Sequence, residues 1–262
     1  MSADRWSSGD LYEPYVGRWS RRVAENFLPW LRAPRRAAWL DVGCGTGALV
    51  EQVLEAMHPR WVKGIDPSEA FLATASERIR DPRVRFERAD AQSLPDGKGA
   101  FEAVSSGLVL NFVPRPQEAA AEMARVLKPG GIAGAYVWDY AGKMQLMRHF
   151  WNAAVALDPG ARDQDEGRRF PLCEPEALRA LWEGAGFREV EVAAIDIETR
   201  FEDFDDYWNP FLGGQAPAPG YCMSLSEEAR GRLRERLRQS LPFALDGSIP
   251  LVARAWAVRG RR

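Results

Sequence analysis

The chain has 262 residues, 46% of them hydrophobic, and a formal net charge of −2, long enough to bury a full core as one domain with room for an insertion. The near-neutral balance argues against a general nucleic-acid binder, which would show a strong basic excess, and no segment offers the ~18 uninterrupted apolar residues of a membrane helix. The start, MSADRWSSGD, carries charges without an apolar run and does not read as a secretory signal, while Cys44, Cys173 and Cys222, scattered and without zinc-like spacing, fit a reduced, cytoplasmic setting.

In chain order, residues 13–32 read as an amphipathic helix, with Val16, Trp19, Val23, Phe27 and Trp30 at helical spacing. WLDVG (39–43) is a short apolar strand ending in glycine, followed by the helix ALVEQVLEAM (48–57). WVKGID (61–66) is a second strand, and Pro67-Ser68 open the helix SEAFLATASERI with Ser68 as N-cap. VRFERAD (84–90) alternates as a third strand, and AFEAVSSGLVL (100–110) is a fourth, longer one. Pro116 opens the helix QEAAAEMARVL, which Lys128-Pro129-Gly130-Gly131 stops before a fifth strand over 131–139. Strand and helix alternate throughout this half, which predicts an α/β fold: a doubly wound, mostly parallel sheet with helices on both faces.

The second half is less regular. It predicts a helix over 143–157, the charged loop DPGARDQDEGRR, a helix from Pro175 to Gly184–Gly186, and strands over 190–201 and 250–260. Between those strands lies a helical insertion, about 202–247, holding DFDDYWNPFLGG, the loop QAPAPGYC and the helix SEEARGRLRERLRQSL. Leu225, Ala229, Leu233, Leu237 and Leu241 form one stripe on that last helix, and its arginines are expected to face solvent.

The stretch LDVGCGTGAL (40–49) allows two parses. As G-x-G-x-x-G/A, with Gly43, Gly45 and Ala48, it fits a dinucleotide-binding loop. As D-x-G-x-G-x-G, with Asp41, Gly43, Gly45 and Gly47, it carries a carboxylate where a pyrophosphate would be repelled and an ammonium or sulfonium attracted. Asp66 ends strand two, where an acid can accept both hydroxyls of a ribose; both parses want it. Asp90 ends strand three, followed by Ala91 and Gln92, and an acid there suits an adenine amino group. Carboxylates at three successive strand ends favour the second parse, since ligands of open α/β sheets lie beyond the carboxyl ends of the strands.

On these residues the chain resembles the class I S-adenosylmethionine (SAM)-dependent methyltransferases, a group that includes the quinone C-methyltransferases and many small-molecule methyltransferases. LDVGCGTG is similar to the family's first motif, GIDPS to its ribose acid, RADAQSLP to its adenine motif and LKPGG to its turn before strand five; the resemblance covers roughly residues 36–140. It implies a seven-stranded sheet whose last two strands form a hairpin, the final one antiparallel. It implies one domain over 1–262, with a cap helix in 1–35, a SAM-binding core in 36–140 and a substrate side in 141–262. It also implies that Gly43, Gly45 and Gly47 let the backbone approach the methionine part of SAM, near Asp41. Asp66, with Pro67 and Ser68, would hold the ribose, and Asp90, Ala91 and Gln92 the adenine. Gly107 and Leu108 would flank the sulfonium, and Arg18 and Trp19 are the candidates to clamp the methionine carboxylate.

The implied reaction is in-line displacement onto a small-molecule acceptor, and it needs a base only if the nucleophile keeps its proton at neutral pH. His58 falls on the wrong edge of the sheet. His149 follows strand five on the cavity side, sharing a polar face with Gln145, Arg148 and Asn152, although that spacing favours a solvent-facing histidine. His149 and Asn111, which is read as ending strand four, are the catalytic candidates. Phe112 stands where methyltransferases of nucleobase amines carry proline, so no nucleic-acid partner is expected. Trp138, Tyr140, Tyr207, Trp208 and Phe211 suggest a closed, largely apolar acceptor pocket, with the insertion as its roof. No metal, no membrane insertion and no particular oligomeric state are expected. A SAM-binding regulatory module and a nicotinamide-dependent oxidoreductase remain alternative readings.

Overall fold

The computed structural model describes residues 13–214 and 216–262. The first twelve residues, including MSADRWSSGD and the start of the cap segment, lie outside the described residues, as does Gln215 of the insertion.

Seven strands form one sheet: β1 (Ala38–Val42), β2 (Trp61–Asp66), β3 (Val84–Arg88), β4 (Phe101–Gly107), β5 (Leu127–Trp138), β6 (Arg188–Phe201) and β7 (Ile249–Arg261). Their order is β3-β2-β1-β4-β5-β7-β6. The pairs among the first five are parallel, and β7 runs antiparallel to both β5 and β6. The order reverses between β1 and β4, the switch point at which such sheets bind ligands.

Parallel strands covered on both faces alternate between two cores rather than between core and solvent. Trp39 packs with the helices on one face, and Ala38, Leu40 and Val42 with those on the other. By this two-residue period Asp41 shares the face of Trp39. That face carries α1 (Arg18–Leu31), whose Val23, Phe27 and Leu31 are buried, and α2 (Ala48–Met57). The next helix, α3 (Glu69–Arg78), has Ser68 as its N-cap, accepting from Phe71 N at 3.4 Å. The opposite face carries α4 (Pro116–Val126) and α7 (Pro175–Gly184), through Ala119, Met123, Leu178 and Trp182.

After β5 come α5 (Gln145–Leu157), a 3-10 turn (Pro159–Gln164) and the single turn α6 (Glu166–Arg169). The insertion holds α8 (Phe204–Trp208), α9 (Pro217–Ser224) and α10 (Glu227–Ser240). On α10, Leu233 and Leu237 are fully buried while Ala229 is only half-buried, as is Leu225 just before the helix, so the stripe narrows toward the helix start. Among the described residues no helix is long and apolar enough to cross a membrane.

Three expected boundaries are corrected. The helix expected over 13–32 begins at Arg18, after a π-turn over Glu13–Gly17. β5 runs through Lys128-Pro129-Gly130-Gly131 instead of starting after it, because Arg262 pairs with that stretch: Gly130 N donates to Arg262 O and Arg262 N to Gly131 O, both at 3.0 Å. β4 stops at Gly107, not at residue 110. Leu108 has φ +63°, and its N–H bonds Tyr136 O at 2.7 Å, so the chain leaves the sheet there.

Candidate functional site

The glycines after β1 form a loop that no side chain could replace at its first position. Gly43 has φ +75°, and a Cβ there would lie 2.4 Å from the Val109 side chain. Gly43 N and Cys44 N both donate to Ile65 O at 2.8 Å, tying the loop to the end of β2. At Gly45 a Cβ would meet nothing within 4 Å, so the crest of the loop is open to a ligand. Gly47 is the N-cap of α2.

Beneath this loop Asp41 is buried. Trp39 Nε1 donates to Ser105 Oγ at 2.8 Å, and Ser105 Oγ donates to Asp41 Oδ1 at 3.0 Å. Oδ2 is buried without a hydrogen bond. Burial pushes the carboxyl up to about 7 against the opposing Ser105 bond, and the charge of Asp66 adds to the rise. A buried carboxylate with one unsatisfied oxygen is unfavourable until a cation or donor meets it. The ammonium end of SAM has that chemistry, so the residues present fit the expected ligand.

Asp66 is nearly buried at the end of β2, and burial raises its carboxyl while backbone hydrogen bonds oppose the rise. Gly45 N donates to Oδ2 at 3.0 Å and Ser68 N to Oδ1 at 2.9 Å. The expected ribose acid is thus also the peg that holds the glycine loop and the start of α3. Pro67 between them is exposed. Asp90 lies just past β3, and its two oxygens take Gln92 Nε2 at 3.0 and 3.1 Å. Gln92 Oε1 in turn accepts from Arg115 N at 3.0 Å. Ala91 is buried beside them. A Cβ on Gly107 would come 2.5 Å from Tyr136 Oη, so Gly107 leaves room for that ring where β4 ends next to Leu108.

At the N-terminal side, Arg18 Nη1 donates to Asp206 Oδ1 of the insertion at 2.8 Å. Its guanidinium lies over Trp19 at 4.6 Å and over Phe201 at 4.8 Å. Arg18 Nε and Nη2 are buried without partners, as is Trp19 Nε1. The structure therefore brings Arg18 to the insertion and leaves two of its donors available.

On the substrate side, Asn111 is corrected from a strand end to a 3-10 turn, Leu110–Phe112. Its Nδ2 lies 3.8 Å from Cys173 Sγ, and its Oδ1 is buried and unpartnered. The polar face expected around His149 is dispersed: Gln145 Oε1 accepts from Val252 N at 2.6 Å, Arg148 pairs with Asp165, and Asn152 is exposed. His149 itself is half-buried, which pushes its pKa below the usual histidine value. Trp138, Tyr140, Tyr207, Trp208 and Phe211 are all buried. Tyr207 Oη donates to Leu146 O at 2.9 Å, and Phe211 stacks on Phe150 with centroids 4.4 Å apart. Tyr207 and Trp208 pack on Phe211, with centroids 5.5 and 6.3 Å away, so this part of the expected acceptor pocket is a packed aromatic layer.

Two residues of this layer escaped sequence reasoning. Glu166 is buried, accepts from Trp151 Nε1, and is pushed up to about 7, mainly by burial. Tyr15 is buried near Glu166, Tyr140 and Tyr207, and donates to Met147 Sδ at 3.1 Å. Nothing in DPGARDQDEGRR distinguishes Glu166 from the solvated acids around it. Among the described residues no group of three or more His, Cys, Asp and Glu could hold a metal ion.

A family model described as a methyltransferase domain matches residues 40–131. The chain is 33% identical over 184 residues to a demethylmenaquinone methyltransferase of Thermus thermophilus, covering 65% of this chain and 81% of that one. It is 38% identical over 188 residues to a ubiquinone/menaquinone biosynthesis C-methyltransferase of Methylobacterium nodulans, covering 66% and 73%. Its fold is similar to that of a phosphoethanolamine N-methyltransferase of Haemonchus contortus solved with SAM, at TM-score 0.58 and 17% identity, over 92% of this chain and 52% of that one.

Proposed function

Since the chain belongs to the class I SAM-dependent methyltransferases, with SAM as methyl donor, we propose that it methylates a small-molecule acceptor enclosed on the substrate side of the sheet. In this reading residues 1–35 cap the site, 36–140 hold the donor and 141–262 hold the acceptor. Bound in the core, SAM supplies a sulfonium-activated methyl group open to in-line displacement. The glycine loop brings backbone within reach of the donor's methionine part, and Asp41 offers its free oxygen to the ammonium. Asp66 keeps lone pairs for the ribose hydroxyls while its backbone bonds hold it rigid, and Asp90 with Ala91 and Gln92 borders the adenine. Gly107 and Leu108 lie beside the sulfonium. Arg18 offers Nε and Nη2 to the methionine carboxylate, with Trp19 packed against it.

For the acceptor, Asn111 presents an unsatisfied Oδ1 that can take a hydrogen bond from a hydroxyl or amine. His149 is held toward its neutral form by burial, the form a base must have. The observation that carries the small-molecule reading is the way the insertion is tied down. Tyr207 Oη bonds Leu146 O and Asp206 pairs with Arg18, so the acceptor side is covered by the aromatics of α8 and its neighbours. Excluding water there protects the sulfonium from hydrolysis. The test is incubation of the protein with methyl-labelled SAM and a bacterial extract. Label in small organic products supports the reading, and label confined to protein or nucleic acid overturns it.

A further inference from the structure

Between α5 and the segment that follows it the surface opens into a cleft of about 420 Å³. Three arginines line it, Arg148, Arg162 and Arg168, against the single carboxylate of Asp165. Asp165 is already committed. Its Oδ2 accepts from Arg148 Nη1 at 2.9 Å, and its Oδ1 accepts from Arg148 Nη2 and from Gly167 N at 2.9 Å. The neighbouring acids face elsewhere. Asp158 accepts from Gly160 N at 2.9 Å and lies 3.5 Å from Tyr221 Oη. Glu166 is buried under Trp151, and Asp163 is not part of the lining.

Arg162 and Arg168 thus hold two cations in one cleft with no carboxylate paired to them among the described residues, and like charges gathered in a concavity repel unless an anion joins them. Arg148 adds an Nε that is buried without an acceptor. Val155 and Ala156 add apolar surface to the same lining. A cavity of this volume is the size of a small-molecule site, too large for a simple inorganic ion alone.

We propose that this cleft binds a small organic acid, its carboxylate held by Arg162, Arg168 and the free Nε of Arg148, and its apolar body laid against Val155 and Ala156. The guanidinium fork matches a carboxylate in geometry as well as charge. The site is separate from the donor site, none of whose residues line it. At its edge the α6 segment packs closely on residues 140–141, where a Cβ on Gly167 would stand 2.6 Å from Tyr140 O. The acid is either the methyl acceptor in a docking position or an effector, and the chemistry of recognition is the same for both.

The test is titration calorimetry of the full chain with benzoate and hexanoate, and with benzamide as the neutral control. Both acids are expected to bind at one site and benzamide not to bind. Arg162→Gln with Arg168→Gln, both on exposed side chains, should weaken the acids about tenfold or more, through lost charge-assisted bonds, and leave SAM affinity unchanged. No binding of either acid, equal binding of benzamide, or unchanged affinity in the double variant overturns the proposal. With methyl-labelled SAM present, label on the acid identifies an acceptor. A shifted SAM affinity without labelled acid identifies an effector. Because SAM binding is read separately, failure of this site leaves the methyltransferase reading standing.

Discussion

Asp41 is a buried acid with an oxygen left open for a ligand. With one oxygen satisfied by Ser105 and the other free, its carboxyl is held up to about 7. A cationic ligand favours the ionised form, so binding must drive off the proton at lower pH. SAM affinity should therefore fall as pH drops through about 7, by at most about tenfold per unit. Asp41→Asn should remove that component and weaken binding at alkaline pH. Calorimetry across about pH 6 to 8 checks this, and identical pH slopes in wild type and variant would show that Asp41 is not opposite the cation. Asp66 is the complementary case, since its oxygens already hold Gly45 N and Ser68 N. Asp66→Asn, which keeps one acceptor, should weaken SAM by about 2–3 kcal/mol through lost charge-assisted bonds. Asp66→Ala should also lower the melting temperature, because two loop N–H groups lose their partner. An unchanged affinity in the folded asparagine variant would remove Asp66 from the donor site.

At the level of elements, the insertion is held by its aromatic underside. Phe204 and Trp208 on α8 stack with centroids 6.3 Å apart, and Phe211 stacks on Phe150 of α5. Because Phe211 is wholly buried, Phe211→Ala should destabilise the chain by about 3–5 kcal/mol through lost contact and cavity formation. Tyr207→Phe keeps the ring and loses only the bond to Leu146 O, an effect of about 1 kcal/mol. Denaturant melts measure both. The roof expected from the sequence is thus first of all a structural layer, and any effect of these variants on acceptor choice has to be read after stability has been matched. If Phe211→Ala melted like wild type, the packing account of the insertion would be wrong.

At the scale of the whole molecule, two interior carboxyls contribute in the same sense to the pH dependence of stability. Asp41 and Glu166 are both raised to about 7, from ordinary values of 3.8 and 4.5. At these two groups the folded chain binds more protons than the unfolded chain between those limits. Their stabilising contribution is therefore complete below the ordinary carboxylate range and is lost as pH rises through about 7. Glu166→Gln, which can still accept from Trp151 Nε1, should match wild type in acid and be the more stable above about pH 7. Thermal melts at two pH values decide it; a variant less stable at both would mean that the charged form is compensated in the fold.

What the sequence determined by itself was local. The glycine loop is a run of seven residues whose backbone geometry depends on glycine at fixed positions, and β1, β2, α2 and α3 follow from hydrophobic period and from Ser68 as cap, so they and the acids at their ends were legible. The parallel core follows from the same alternation, while the reversal of order between β1 and β4 is read from the structure. What only the tertiary structure decided rests on contacts between distant parts of the chain. Ser105 reaches Asp41 from the neighbouring strand, Arg18 meets Asp206 across 188 positions, and Gln92 bridges Asp90 to Arg115. Glu166 looks like any acid in a charged loop until α6 is folded down over Trp151. Lys128-Pro129-Gly130-Gly131 reads as a stop until Arg262 arrives to pair with it. Each of these depends on desolvation or pairing by residues far away in sequence, and neither quantity is encoded in the local period or propensity of the segment itself.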